Sequence, residues 1–292
     1  MIHVDYQGRT MENTTTLQDH IQSLLDARDS GDKRTQAREH AALGKRYVRR
    51  NNYREGLRHY RKAAGLFRTL GMEEHHSRSL NHLGVCHLML DDPHQALETL
   101  QRALDVPPGA LKADVRGAIL GNMGLAYTSV GDYTKAVECH RQVLEIARQN
   151  RLQSLELQAL VNLGETNRQS GHLPQAIRRC HQARNLALEV NDQPSLIAIY
   201  DTLGMTASRQ GNLKEARTYH HRAGEIALET GDLLRQAIAL ANEALALEGL
   251  TDLNNALPLM RQAHHIFQSL GSNYSKKTRK DLRRIKKGLE ID

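Results

Sequence analysis

Between residues 116 and 130, apolar side chains recur at Leu120, Met123 and Tyr127, spacings of three and four that keep them on one helical face. The pattern stops at Gly131. Asp132 then offers an N-cap for a second helix with the sequence TKAVECHRQVLEIARQ. The same arrangement returns along the chain. Gly44, Gly84, Gly124, Gly164 and Gly204 stand 40 residues apart, each after Leu or Met, and the register continues to Ala244. Twelve residues on come Gly56, Ala96, Ala136, Ala176, Ala216 and Ala256. A third small column runs Ala63, Ala103, Ala183, Ala223 and Ala263, interrupted by Val143. Self-similarity at such a period predicts a stacked array of helix pairs.

The punctuation predicts the boundaries. Within pairs it reads Leu90-Asp91-Asp92-Pro93, Ser170-Gly171-His172 and Gln210-Gly211-Asn212. Between pairs it reads Gly31-Asp32, Gly71, Pro107-Pro108-Gly109, Asn191-Asp192, Gly231-Asp232 and Gly271. Asn52 with Glu55 and Asn212 with Glu215 have capping-box spacing, and Pro258 predicts a kink in the last full pair. The expected organisation is a disordered segment over 1–13, a capping helix over 14–30, six helix pairs over 34–272 and a basic capping helix over 273–292. Gly in the first column is expected to let the first helix of a pair (helix A) approach the second (helix B) closely. Ala in the other columns is expected to let helix B nest on the next helix A.

These columns resemble the tetratricopeptide repeat: Leu-Gly, Tyr47 or Tyr127 three residues further on, then alanine, a bulky residue and alanine. The Trp position of that signature holds His40, Leu80, Leu120, Leu160, Tyr200 and Leu240, and the period is six residues longer than the usual thirty-four. Forty-residue units with Asn-Leu-Gly in helix A are similar to those of Pins/LGN-type scaffolds and of bacterial Rap-like peptide-sensing regulators. The resemblance implies an all-α, right-handed α-solenoid that binds a protein or peptide segment in a concave groove lined by the A helices. Transferred by position, the groove takes Arg38, Lys45, Val48 and Arg49 from the first repeat and Arg78, Asn81, Val85, Leu88 and Met89 from the second. The third contributes Leu125, Thr128 and Ser129, the fourth Gln158, Val161, Glu165, Arg168 and Gln169. Asp201, Met205, Ser208 and Arg209, then Ile238, Leu245 and Glu248, complete it. The basic first repeat implies a ligand with an acidic end.

Asn122, Asn162 and Asn242 share one column with His82 and Thr202. Either their amides meet a bound backbone, since one Asn side chain both donates and accepts, or they bond neighbouring helices. The Arg38, Lys45, Arg49 and Arg78 cluster is either a ligand contact or a solvated helix face.

Chemistry of other kinds finds no support. No phosphate-cradling glycine loop, nucleophile elbow or carboxylate pair is present, so neither an enzyme nor a cofactor is expected. Cys86, Cys139 and Cys180 each precede a histidine, but adjacent helical residues diverge by about 100° and cannot chelate one metal. No metal is expected; the cysteines are read as packing residues, and the His75-His76, His220-His221 and His264-His265 pairs as surface or inter-helix residues. Three cysteines, no signal-peptide core and no apolar run of membrane-spanning length point to the cytoplasm, and Met11 is a candidate start.

The formal charge of +7 is local. Residues 276–287 carry eight cations and one acid, Asp281, so the rest of the chain sums to zero. The expected role is a solvated cap over Leu282, Ile285 and Leu289. The alternative is attraction of nucleic acid or an anionic surface, with nucleic acid not the expected partner.

Overall fold

The computed structural model describes residues 16–107 and 109–290. Among them are fourteen α-helices and no strand. Helix α1 (Leu17–Asp29) precedes six pairs. These are α2 (Lys33–Arg49) with α3 (Tyr53–Thr69), α4 (Glu73–Met89) with α5 (Pro93–Leu104), and α6 (Ala113–Ser129) with α7 (Tyr133–Gln149). Then come α8 (Gln153–Gln169) with α9 (Leu173–Glu189), α10 (Gln193–Arg209) with α11 (Leu213–Glu229), and α12 (Leu233–Gly249) with α13 (Leu253–Ser269). Helix α14 (Tyr274–Gly288) closes the order. The disorder expected for 1–13, and Pro108 of the proline turn, lie outside the described residues.

The chain packs as two compact units, Met1–Glu156 and Leu157–Asp292. Within each, a helix packs on the next along the chain, and A helices also touch directly, α4 on α6 in the first unit and α10 on α12 in the second. This is the all-α solenoid architecture of stacked helix pairs.

Asp side chains cap six of the helix starts. Asp32, Asp92, Asp132, Asp192, Asp232 and Asp252 each accept a hydrogen bond from a first-turn backbone N–H, with Asp132 to Lys135 N at 3.1 Å as the pattern. Asn52 caps Glu55 N at 3.3 Å, but the expected Asn212 cap is absent; Glu215 instead accepts from the Tyr219 hydroxyl at 3.1 Å. Each described turn carries one residue in the left-handed region. Gly131 (φ 81°) does so freely, whereas Thr251 (φ 62°) does so as a β-branched residue with no sequence signal. The kink expected at Pro258 does not break α13, which stays helical from Leu253 to Ser269 around the missing N–H.

The glycine column works as close packing. A methyl group on Gly84 would lie 2.6 Å from Leu100, on Gly164 2.7 Å from Cys180, and on Gly204 2.6 Å from His220; on Gly124 it would collide with the His140 ring. The facing residue is always sixteen positions on. The alanine columns are sealed: Ala63, Ala96, Ala136, Ala176, Ala216 and Ala263 are each 0% exposed. Gly65 is different. It is exposed within α3, with open space where a methyl group would sit. Gly65→Ala is therefore expected to raise stability by about 0.5–1 kcal/mol, read as a shift in a thermal or urea melt.

Candidate interaction surface

The A helices of the first unit carry the cations. Arg38, Lys45 and Arg49 are exposed on α2 and, at i, i+7 and i+11, lie on one face. Arg78 is exposed on α4, but its guanidinium is engaged by Glu74 at 3.2 Å and Asp114 at 3.3 Å, an ion-paired link from α4 to α6. Three groove positions of the second repeat are not offered to a guest: Asn81, Val85 and Leu88 are each 8% exposed, because α4 is enclosed by its neighbours where A helix meets A helix. Met89, Asn122, Leu125 and Thr128 are half-buried, and the Thr128 hydroxyl donates to the Gly124 carbonyl at 2.9 Å.

In the second unit the predicted residues converge on one network. Arg168 donates through Nε to Glu165 Oε2 at 2.9 Å and through Nη2 to Oε1 at 2.6 Å, and the Gln169 amide reaches the same carboxylate at 2.7 Å. This hydrogen bonding, in a half-buried place, pushes the Arg168 guanidinium to a still higher pKa. The Thr202 hydroxyl of α10 donates to Glu165 of α8 at 3.3 Å, and Arg209 donates to the Arg168 carbonyl at 2.9 Å. Asp201, in turn, accepts from the Asn242 amide of α12 at 3.1 Å and lies 3.5 Å from Nδ1 of buried His220. Asn162 and Met205 are half-buried on the same two A helices.

Two of the asparagines therefore answer the question left open by sequence. Asn122 donates to Asn81 at 2.8 Å and Asn242 to Asp201, so both amides tie one A helix to the next instead of awaiting a ligand. The two bonds occupy equivalent places: a residue three before one glycine position meets a residue two before the next. Apolar surface also remains accessible. Leu125, Met205 and Leu245 fall directly after the glycine position and stay half-exposed beside these polar ties.

Sequence reasoning missed the acids Glu74 and Asp114 that neutralise Arg78, and the column facing the glycines. That column, Tyr60, Leu100, His140, Cys180, His220 and Met260, is itself periodic at 40 residues and so was visible in the chain. Of the two places open to the His220-His221 pair, surface or between helices, His220 takes the second, at 2% exposure against Gly204. The cysteines do pack: all three are buried, and burial pushes the thiols of Cys86 and Cys180 up to about 12 and that of Cys139 to about 11. Among the described residues no group of three or more His, Cys, Asp or Glu could hold a metal, and no helix is long and apolar enough to cross a membrane.

Stacked helix pairs with A helices cross-tied by polar side chains define a helical-repeat protein. The tetratricopeptide repeat profile matches residues 36–108, 115–189 and 155–229, and the chain belongs to that family. Comparison with curated protein sequences gives no significant match. Among solved structures, a signal-transduction ATPase with a tetratricopeptide repeat sensor from Pyrococcus horikoshii is similar at 14% identity and TM-score 0.75, over 94% of this chain and 41% of that one. This chain thus spans about two-fifths of that protein's length. A Rap protein complexed with competence and sporulation factor is similar at 17% identity and TM-score 0.63, over 95% and 82% of the two chains. RapI in its apo form follows at 14% and 0.62, over 87% and 99%. At such identities the likeness is one of fold.

Proposed function

We propose that the chain is a non-catalytic interaction module that holds a protein or peptide segment on the A-helix face. The observation that supports this most is the pairing of fixed polar ties with unfilled apolar side chains. The network around Glu165, Arg168 and Asp201 is held by neighbouring helices and needs little reordering, while Met205 and Leu245 keep apolar surface that a guest would cover. In the first unit the exposed Arg38, Lys45 and Arg49 favour an acidic guest segment; Arg78, already ion-paired, adds less than its charge suggests.

A photo-crosslinking residue placed at Lys45, Leu125, Met205 or Leu245 in the native host tests the reading. Partner crosslinks are expected from these positions and not from Arg61, Arg141 or Arg222, which are exposed on B helices. Equal yields from both sets would refute it. The Rap structure complexed with competence and sporulation factor favours a second reading, a regulator whose helix stack rearranges on binding a peptide. That version requires the small-angle scattering profile to change when the crosslinked partner's segment is added.

A further inference from the structure

Helix α14 has two faces of opposite character. Ile285 is 0% exposed and packs with half-buried Leu282 and Leu289 against Leu247, Leu257 and Met260. At 100° per residue, Lys276, Lys280, Arg283 and Lys287 fall within about a 60° arc on the far side from Ile285, with Lys277 and Arg279 flanking them. All six are exposed, and none has a carboxylate in ion-pair reach among the described residues. The one acid of the stretch, Asp281, is buried and bonded to Arg284 at 2.9 Å. Arg284 also grips Glu248 of α12 with two hydrogen bonds of 2.6 and 2.7 Å, so this cation anchors the helix while the six named above are exposed; Lys286, the eighth cation of the stretch, is half-buried.

This is more than the solvated cap expected from sequence, because the charge is sorted. From Lys276 to Lys287 the outer face presents cations at intervals of about 4.5–6 Å along about 16 Å of rigid helix, unrelieved by an acid. We propose that this face docks on double-stranded nucleic acid through its phosphates, without reading base sequence. Three features favour that occupant. The apolar residues of α14 are spent in the core, so nothing on the cationic face could enter a lipid interface, where binding grows with buried apolar area. No Asn or Gln lies among the cations to read adenine and no aromatic side chain to stack on bases, which leaves charge as the means of contact. A duplex carries a charge about every 1.7 Å, so a straight row of cations finds phosphates in any register, which a folded acidic protein offers only by matched design. The proposal is independent of the A-helix surface.

The test is fluorescence anisotropy of a mixed-sequence 24-base-pair DNA duplex with the full chain, between 50 and 200 mM NaCl. The expected result is binding whose log affinity falls with log salt at a slope of roughly −3 to −5. In K276Q/K280Q/R283Q/K287Q the slope should shrink by about 3–4 and affinity at 50 mM should drop at least about 30-fold. The reshuffled variant K276R/K280R/R283K/K287R should bind as the natural chain does, and circular dichroism melts of both should overlay it, since these side chains touch no core residue. Absence of duplex binding at 50 mM NaCl overturns the proposal. So does binding that the glutamine variant retains, which would place it elsewhere. Tighter binding to phosphatidylserine vesicles or to polyglutamate than to the duplex would also overturn it, assigning the face to a membrane or an acidic protein.

Discussion

Lowering the pH from 7 to 4 is expected to remove about 3 kcal/mol of stability from the α6–α7 pair through His140 alone. The ring is 0% exposed against Gly124, and neither nitrogen meets a hydrogen-bond partner among the described residues. Burial without a partner penalises the imidazolium and lowers the pKa from 6.5 to about 4. The unfolded chain therefore takes up the proton first as pH falls. Stability from this group is complete above pH 6.5, declines between 6.5 and 4, and falls no further below 4. The buried His40, whose ring contacts His59 with Nδ1 atoms 3.0 Å apart, is lowered to about 4 by burial and then by His59 and nearby cations, and acts in the same direction. His140→Leu isolates the first contribution. Leucine already fills the equivalent place opposite Gly84, as Leu100, so the substitution should keep the packing while deleting the proton site. Amide exchange in α6 and α7 at pH 7.0 and 4.5 is the measurement. If the variant lost protection on acidification as steeply as the natural chain, His140 would not be the cause.

Gly124→Ala is expected to destabilise the same pair by about 2 kcal/mol. Replacing glycine in a helix gains about 1 kcal/mol in propensity, but the new methyl would press into the His140 ring, and overpacking a sealed site costs up to about 3 kcal/mol. The contrast with Gly65→Ala, where nothing stands near the methyl, makes the sign diagnostic. Combining Gly124→Ala with His140→Ala should recover part of the loss, because the two residues share one contact. In a stack held by neighbour contacts the damage should stay local, with exchange accelerating in α6 and α7 before α11 and α13. Uniform loss of protection along the chain would count against this account, as would a double variant no better than the single one.

Both expectations concern a column that helical periodicity alone does not rank. Gly124 was legible as a close-approach residue because small side chains recur every 40 residues, and strict recurrence has few causes besides packing. The periodic column that holds His140 was visible too, but that it faces the glycine column was not, since that is fixed only when the neighbouring helix is in place. The same holds on the A face. The positions of Glu165, Arg168, Asp201 and Asn242 were transferable from repeat register, yet the bonds of Thr202 to Glu165 and of Asn242 to Asp201 were not, since they join residues about 40 apart through the offset of one helix pair on the next.

By itself, then, the chain determined what depends on local chemistry and recurrence: helices, Asp caps, glycine turns, small-residue columns and the clustering of positive charge near residue 280. Tertiary structure alone decided which polar groups are already satisfied. Arg78 is neutralised by acids from two helices, Asn122 and Asn242 are spent on neighbouring A helices, and Arg284 is drawn away from the cations around it. A side chain's type states which bonds it can make. Whether water, a ligand or the protein makes them depends on distances between segments remote in sequence, which folding sets.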